Sequence, residues 1–158
     1  MTFTASVPVR SPSETIQVDV RGPRFSAWIT TGVLVGVLVA SGFSTTAAAI
    51  ALGVQAVVFA IGAINGPRAH PYGVIFARLV APRLGPVTER EPVAPLRFAQ
   101  SVGLTFAAIG VAGFVLGAPL VGVLSTAAAL VAAFVNAAFD ICLGCEIYPF
   151  IARLRPGT

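Results

Sequence analysis

At 158 residues, 56% hydrophobic and only 10% charged, the chain is one domain whose apolar content exceeds what a water-soluble core of this size uses. Its formal charge of +4 comes from arginines alone on the basic side, and these flank long uncharged stretches where anionic headgroups are the natural counter-charge. The composition excludes a soluble globular domain, and no nucleic-acid partner is expected.

Residues 1–20, with Pro8, Ser11, Pro12, Ser13 and Glu14, read as a flexible or surface-lying tail. Arg21 and Arg24 then precede an uncharged run from Phe25 to Gly66, close to twice the roughly 20 residues a spanning helix requires. Gly42-Phe43-Ser44-Thr45 is its natural turn, so the run predicts helices over 25–42 and 46–64. A secretory leader ending at Ala47-Ala48-Ala49 would need a shorter apolar run, and this one leads straight into another hydrophobic helix.

The segment after Gly66 carries Arg68, Arg78, Arg83, Arg90 and Arg97. Within it Tyr72 to Val80 has the composition of a short helix at headgroup depth, while Pro82, Pro86, Pro92 and Pro95 predict non-helical chain. A second uncharged run, Phe98 to Phe139, is broken at Gly117-Ala118-Pro119, which predicts helices over 98–116 and 120–139 because proline is tolerated at a helix start and not inside. Tyr148 to Leu154 reads as a second interfacial helix. Residues 21–158 thus form a single four-span membrane domain, all-α, with every arginine on one side. The positive-inside rule names that side the cytoplasm, with both termini there and the bacterial inner membrane as the location.

The two halves repeat. Arg24-Phe25-Ser26-Ala27 opens one hairpin and Arg97-Phe98-Ala99-Gln100 the other, and Phe76-Ala77-Arg78-Leu79 answers Ile151-Ala152-Arg153-Leu154. The expected architecture is a four-helix bundle of two repeated hairpins, each followed by a short interfacial helix, with any pseudo-two-fold along the membrane normal. Gly32, Gly36 and Ala40 in the first helix, and Gly113 with Gly117 in the third, have the spacing that lets helix backbones approach in lipid. The same pattern serves a bundle or a homo-oligomer. Gln55 and Asn136 are expected to bond neighbouring helices.

One constellation carries chemistry. Cys142 and Cys145 stand as CxxC in Asp140-Ile141-Cys142-Leu143-Gly144-Cys145-Glu146, a spacing that suits a reducible disulfide or half of a metal shell. The remaining ligand types, Asp140, Glu146 and the single His70, fall short of a sulfur and imidazole shell, so no metal and no other cofactor is expected, and the sequence marks no cofactor-binding residue. A helix ending near Phe139, with Gly144 as left-handed cap, would put Cys142 in the last turn of one helix and Cys145 at the start of the next, making Cys145 the nucleophile and Cys142 its resolving partner. The repeat aligns Pro67-Arg68-Ala69-His70 with Cys142-Leu143-Gly144-Cys145, which sets His70 opposite Cys145 as an acceptor for a thiol proton. Asp140 is expected to pair with Arg21, Arg24 or Arg97, and Arg24 and Arg97 to shape the site electrostatically.

Val18-Asp19-Val20-Arg21-Gly22-Pro23-Arg24-Phe25, Pro95-Leu96-Arg97-Phe98-Ala99-Gln100 and Cys142-Leu143-Gly144-Cys145-Glu146-Ile147-Tyr148 together resemble a family of small bacterial membrane proteins, domain-of-unknown-function family 4395, from about Val18 to Leu154. The resemblance implies a membrane location and, through the association of such proteins with thioredoxin-like and sulfurtransferase proteins, a thiol partner. Three functions stay open: a cytoplasm-facing dithiol that exchanges electrons or sulfur with such a partner; a non-catalytic membrane scaffold docking through the arginine-rich loop; and an oligomeric carrier for a small sulfur compound.

Overall fold

The computed structural model describes residues 16–154; residues 1–15 of the expected tail, and Arg155, lie outside the described residues. A short strand β1 (Gln17–Asp19) leads into four long helices, α1 (Arg21–Ser41), α2 (Thr45–Asn65), α4 (Val93–Val115) and α5 (Pro119–Phe139), with a short α3 (Pro71–Ile75) after the first pair, a strand β2 (Arg90–Pro92) before the second, and α6 (Leu143–Leu154) at the end. All four long helices are long and apolar enough to cross a membrane. Among the described residues the fold is all-α apart from one two-stranded ribbon.

Local chemistry sets the ends of these helices. Ser44 caps α2 by accepting the Ala47 N–H at 3.2 Å, and Pro119 begins α5, where its missing N–H is no loss. Gly117, at φ +77°, is the left-handed residue that turns the chain after α4, so it acts in the turn and not in helix packing. Three expectations change here. Arg90–Pro92 forms a strand, and α4 begins at Val93, about five residues before the expected start, because Pro95 falls in a first turn whose N–H groups have no helical partner. Gln17–Asp19, expected as tail, forms the strand that β2 pairs with.

The repeat is visible in the fold. The first helix of each half packs on the second helix of the other, α2 on α4 and α1 on α5. Arg97 donates from Nε and Nη2 to the Ala63 and Ile64 carbonyls at 2.9 and 2.7 Å, and Arg24 donates from Nε to the Ala137 carbonyl at 3.0 Å. The interval from Arg24 to Arg97 is also the interval from Ile64 to Ala137. Each arginine therefore satisfies carbonyls at the C-terminus of the other half's helix, where the dipole favours a cation. The antiparallel ribbon joins Gln17 to Pro92, Val18 to Glu91 and Asp19 to Arg90. Val18 and Glu91 are separated by that same interval, so the pseudo-two-fold passes through the middle of the ribbon.

Apolar side chains cover the outer face as well as the core, where Leu34, Val37, Leu52, Phe59 and Phe114 are buried. Val39, Ile50, Val54, Ile64, Val115, Leu120 and Leu124 point outward, while Ser26, Thr30, Thr31, Gln55, Ser125 and Thr126 are buried. Four of the five buried hydroxyls bond backbone carbonyls, Ser26 to Gly22, Thr31 to Ala27, Thr126 to Gly122 and Ser125 across to Phe106, which satisfies them in an apolar surrounding. Close approach is supplied by glycine: a Cβ on Gly113 would meet the Gly122 nitrogen at 2.6 Å, and one on Gly110 would meet Leu52 at 2.6 Å. Gly32 and Gly36, expected in that role, face open space with nothing within 4 Å.

Candidate functional site

Cys142 and Cys145 are joined as a disulfide, their Cα atoms 5.1 Å apart. The helix reading that assigned their roles needs correction. It is Asp140, at φ 61°, that forms the left-handed cap of α5, and α6 begins at Leu143. Cys142 is consequently the residue before the first turn of α6: its carbonyl accepts the Glu146 N–H at 2.9 Å and its Sγ accepts the Cys145 N–H at 3.3 Å. Both cysteines thus belong to one helix N-terminus. In the reduced state, free amide N–H groups and the positive end of the helix would favour negative charge on the Cys142 sulfur over the Cys145 sulfur. Exposed Glu146, in the first turn of α6, pairs favourably with that helix end but repels a neighbouring thiolate.

Gly144 has a different task from the expected cap. A Cβ there would lie 2.7 Å from the Ala99 Cα, so α6 reaches α4 only because residue 144 has no side chain. The contact is reinforced by Tyr148 against Phe98, ring centroids 5.9 Å apart, the counterpart of Phe76 against Phe25 at 5.7 Å in the first half.

His70 does not oppose Cys145. It precedes the first residue of α3, Pro71, just as Cys142 precedes the first residue of α6; the repeat equates His70 with Cys142. The imidazole is 2% exposed, and neither ring nitrogen completes a hydrogen bond within the protein. Burial pushes His70 down to about 4, which the nearby Gln100 side chain offsets slightly, so the ring is neutral at physiological pH. It lines a cavity of about 370 Å³ with Gln17, Arg68, Phe76, Arg90 and Gln100. Cys142 lines another, of about 290 Å³. Pro23, Ser26, Leu96 and Gln100 line both.

Asp140 has no arginine partner among the described residues: Arg21 pairs with Asp19 at 2.7 Å, and Arg24 and Arg97 serve the helix ends already described. Asp140 instead bears on Glu91, a residue not singled out from sequence because only the ribbon carries it there. Burial first, and the Asp140 charge second, push the Glu91 carboxyl up to about 7. From its ordinary 4.5 to about 7 the unfolded chain has released this proton and the folded chain keeps it, so Glu91 withdraws stability as pH rises through that window. His70 acts in the opposite sense, withdrawing stability as pH falls from 6.5 towards about 4. Glu91→Gln should therefore gain on the order of 1 kcal/mol over the unaltered protein between about pH 5 and pH 7.5, read by thermal melting in detergent. A difference that stays constant across that range would remove Glu91 from the account.

Gln55, buried mid-helix in α2, accepts the Tyr72 hydroxyl at 2.7 Å. Its partner is thus the short α3 rather than another spanning helix. Asn136 lines the cavity that Cys142 closes. No group of three or more histidine, cysteine or acidic side chains is gathered as a metal shell among the described residues.

A family model described as a domain of unknown function, DUF4395, matches residues 18–153. No curated protein and no solved structure matches the chain.

Proposed function

The chain belongs to the DUF4395 family, a membership that brings no activity with it, and from that premise we propose a thiol-disulfide function for the Cys142 and Cys145 pair. The observation that carries it is the placing of both sulfurs at the N-terminus of α6, with the Cys142 Sγ receiving an amide N–H. A packing pair has no need of that geometry; an exchanging pair uses it to stabilise the attacking sulfur.

The described arginines gather at the end of the bundle opposite the Gly42–Ser44 and Leu116–Ala118 turns, the end that also bears the cysteines. Under the positive-inside rule this end faces the cytoplasm of a bacterial cell, with the hairpin turns outside. Cytoplasmic thiols are kept reduced, so the disulfide is the oxidised half of a working couple. Its partner is a thioredoxin-like or sulfurtransferase protein whose own thiol can reach the partly exposed Cys142. Exchange proceeds by attack of one thiolate on the facing disulfide, formation of a mixed disulfide, and its resolution by the second cysteine.

Equilibration with dithiothreitol tests this in the folded, reconstituted protein. The expected result is reversible conversion between a form with no alkylatable thiol and a form with two, at reductant concentrations that leave the fold intact. A pair that reacts only after denaturation would contradict the reading.

A further inference from the structure

We propose that the cleft ending at Cys142 is the binding site of a membrane-soluble isoprenoid quinone, the two-electron partner of the cysteine couple. This rests on the thiol-disulfide reading above and adds the oxidant that completes it.

The case is the asymmetry of a repeated fold. At the α2–α4 interface the space level with Gln55 and Phe59, deeper than the His70 cavity, is filled: Phe59 packs on Gly103, where a Cβ would meet its ring at 3.0 Å, and Gln55 is held by the Tyr72 hydroxyl. At the matching α1–α5 interface the interval that relates the halves sets Ala132 in the place of Phe59 and Ala128 in the place of Gln55. Gly144, the second residue of α6, stands where α3 has Tyr72. Three large side chains are replaced by two alanines and a glycine, and the space remains open as the cavity of about 290 Å³. It runs along α4 from Leu96 to Phe106 and along α5 from Ala128 to Asn136, about 12 to 15 Å at the helical rise.

That shape sorts the ligands. Walls of alanine, glycine and phenylalanine at membrane depth reject a hydrated solute, and the length suits a ring with an apolar tail entering along the helices. The polar groups that line it are few, Ser26 and Thr30 on α1, Gln100 on α4 and Asn136 on α5, and Asn136 is the one within a turn of the α5 end that leads to Cys142. The Asn136 side-chain amide can donate its N–H to a quinone carbonyl and accept from a quinol hydroxyl through its oxygen. The site therefore offers for both redox states what a plain hydrocarbon chain would waste.

The step balances. A thioredoxin-like dithiol reduces the Cys142–Cys145 disulfide and becomes a disulfide itself. The Cys142 and Cys145 thiols then give two electrons and two protons to the quinone, reforming their S–S bond and releasing quinol to the bilayer.

The test uses the full-length protein in lipid nanodiscs, reduced, freed of reductant and mixed anaerobically with decylubiquinone. Thiol content and quinone absorbance should fall together, one quinone per two thiols. Ala132→Phe, which copies Phe59 into the cleft, should lower the rate of oxidation by decylubiquinone relative to oxidation by diamide by about a hundredfold, and Ala132→Ser should restore the ratio. Thiols that react with dithiothreitol and diamide but never with decylubiquinone would overturn the quinone inference while leaving the thiol reading standing. Thiols inert to all three would overturn both. Should Ala132→Phe fail to fold, mass spectrometry of the unaltered protein released from native membranes decides: co-purifying quinone supports the assignment, and phospholipid alone overturns it.

Discussion

Cys142→Ser should abolish disulfide exchange, a loss of about a thousandfold or more, while Cys145→Ser should leave attack intact and stall the reaction at the mixed disulfide. The asymmetry follows from the start of α6. Only Cys142 holds the position whose sulfur receives an N–H from the first turn; Cys145 is the third residue of α6, where its own N–H is the donor. A covalent adduct with a thioredoxin-like protein, visible on a non-reducing gel and cleaved by dithiothreitol, should therefore accumulate with Cys145→Ser and be absent with Cys142→Ser. The reverse outcome would hand the nucleophile's role to Cys145 and remove the helix N-terminus from the mechanism.

The second large effect concerns the bundle. Gly113→Val should cost about 3 kcal/mol of stability, because the added Cβ meets the backbone of α5 at Gly122, which has no rotamer through which to retreat. Gly32→Val should change stability by only a few tenths of a kcal/mol, since a side chain there enters open space facing lipid. Both residues belong to small-residue patterns of the same appearance in the sequence. Thermal melting of the two variants in one detergent separates them, and equal losses would show that α4 and α5 do not cross where described.

That pair of glycines also shows where sequence reasoning stops. Spans, turns and the duplication were legible because each rests on a local signal: an uncharged run of sufficient length, a break at Gly117-Ala118-Pro119, a repeated Arg-Phe opening. Which way a helix faces was not, because α1, α2, α4 and α5 are apolar on all sides and lipid exerts no contrast that would mark an inner stripe. The ribbon was hidden for another reason. Three residues per strand, one of them Pro92, give no alternation, and the pairing exists because the pseudo-two-fold brings Val18 against Glu91. The partner of Asp140 was misassigned on the same account, since Arg24 and Arg97 are drawn to the helix C-termini of the opposite half.

At the cysteines the legible part was the spacing and the end of the bundle. The roles turned on a single backbone torsion: with Asp140 rather than Gly144 in the left-handed region, α6 starts at Leu143 and both sulfurs fall to one helix end. Asp140 tolerates that region better than most side chains do. The cleft needed the fold itself, because Ala128 and Ala132 are unremarkable until they are seen to occupy the places of Gln55 and Phe59.

The central claim is that Cys142 and Cys145 form an exchanging couple on the cytoplasmic face. It is tested most directly by a membrane-impermeant maleimide added to inside-out and right-side-out vesicles, before and after mild oxidation. The account predicts labelling of reduced protein in inside-out vesicles alone, lost on oxidation and restored by a thioredoxin-type dithiol. Labelling from the outer face, or thiols silent from both faces in both redox states, would contradict it.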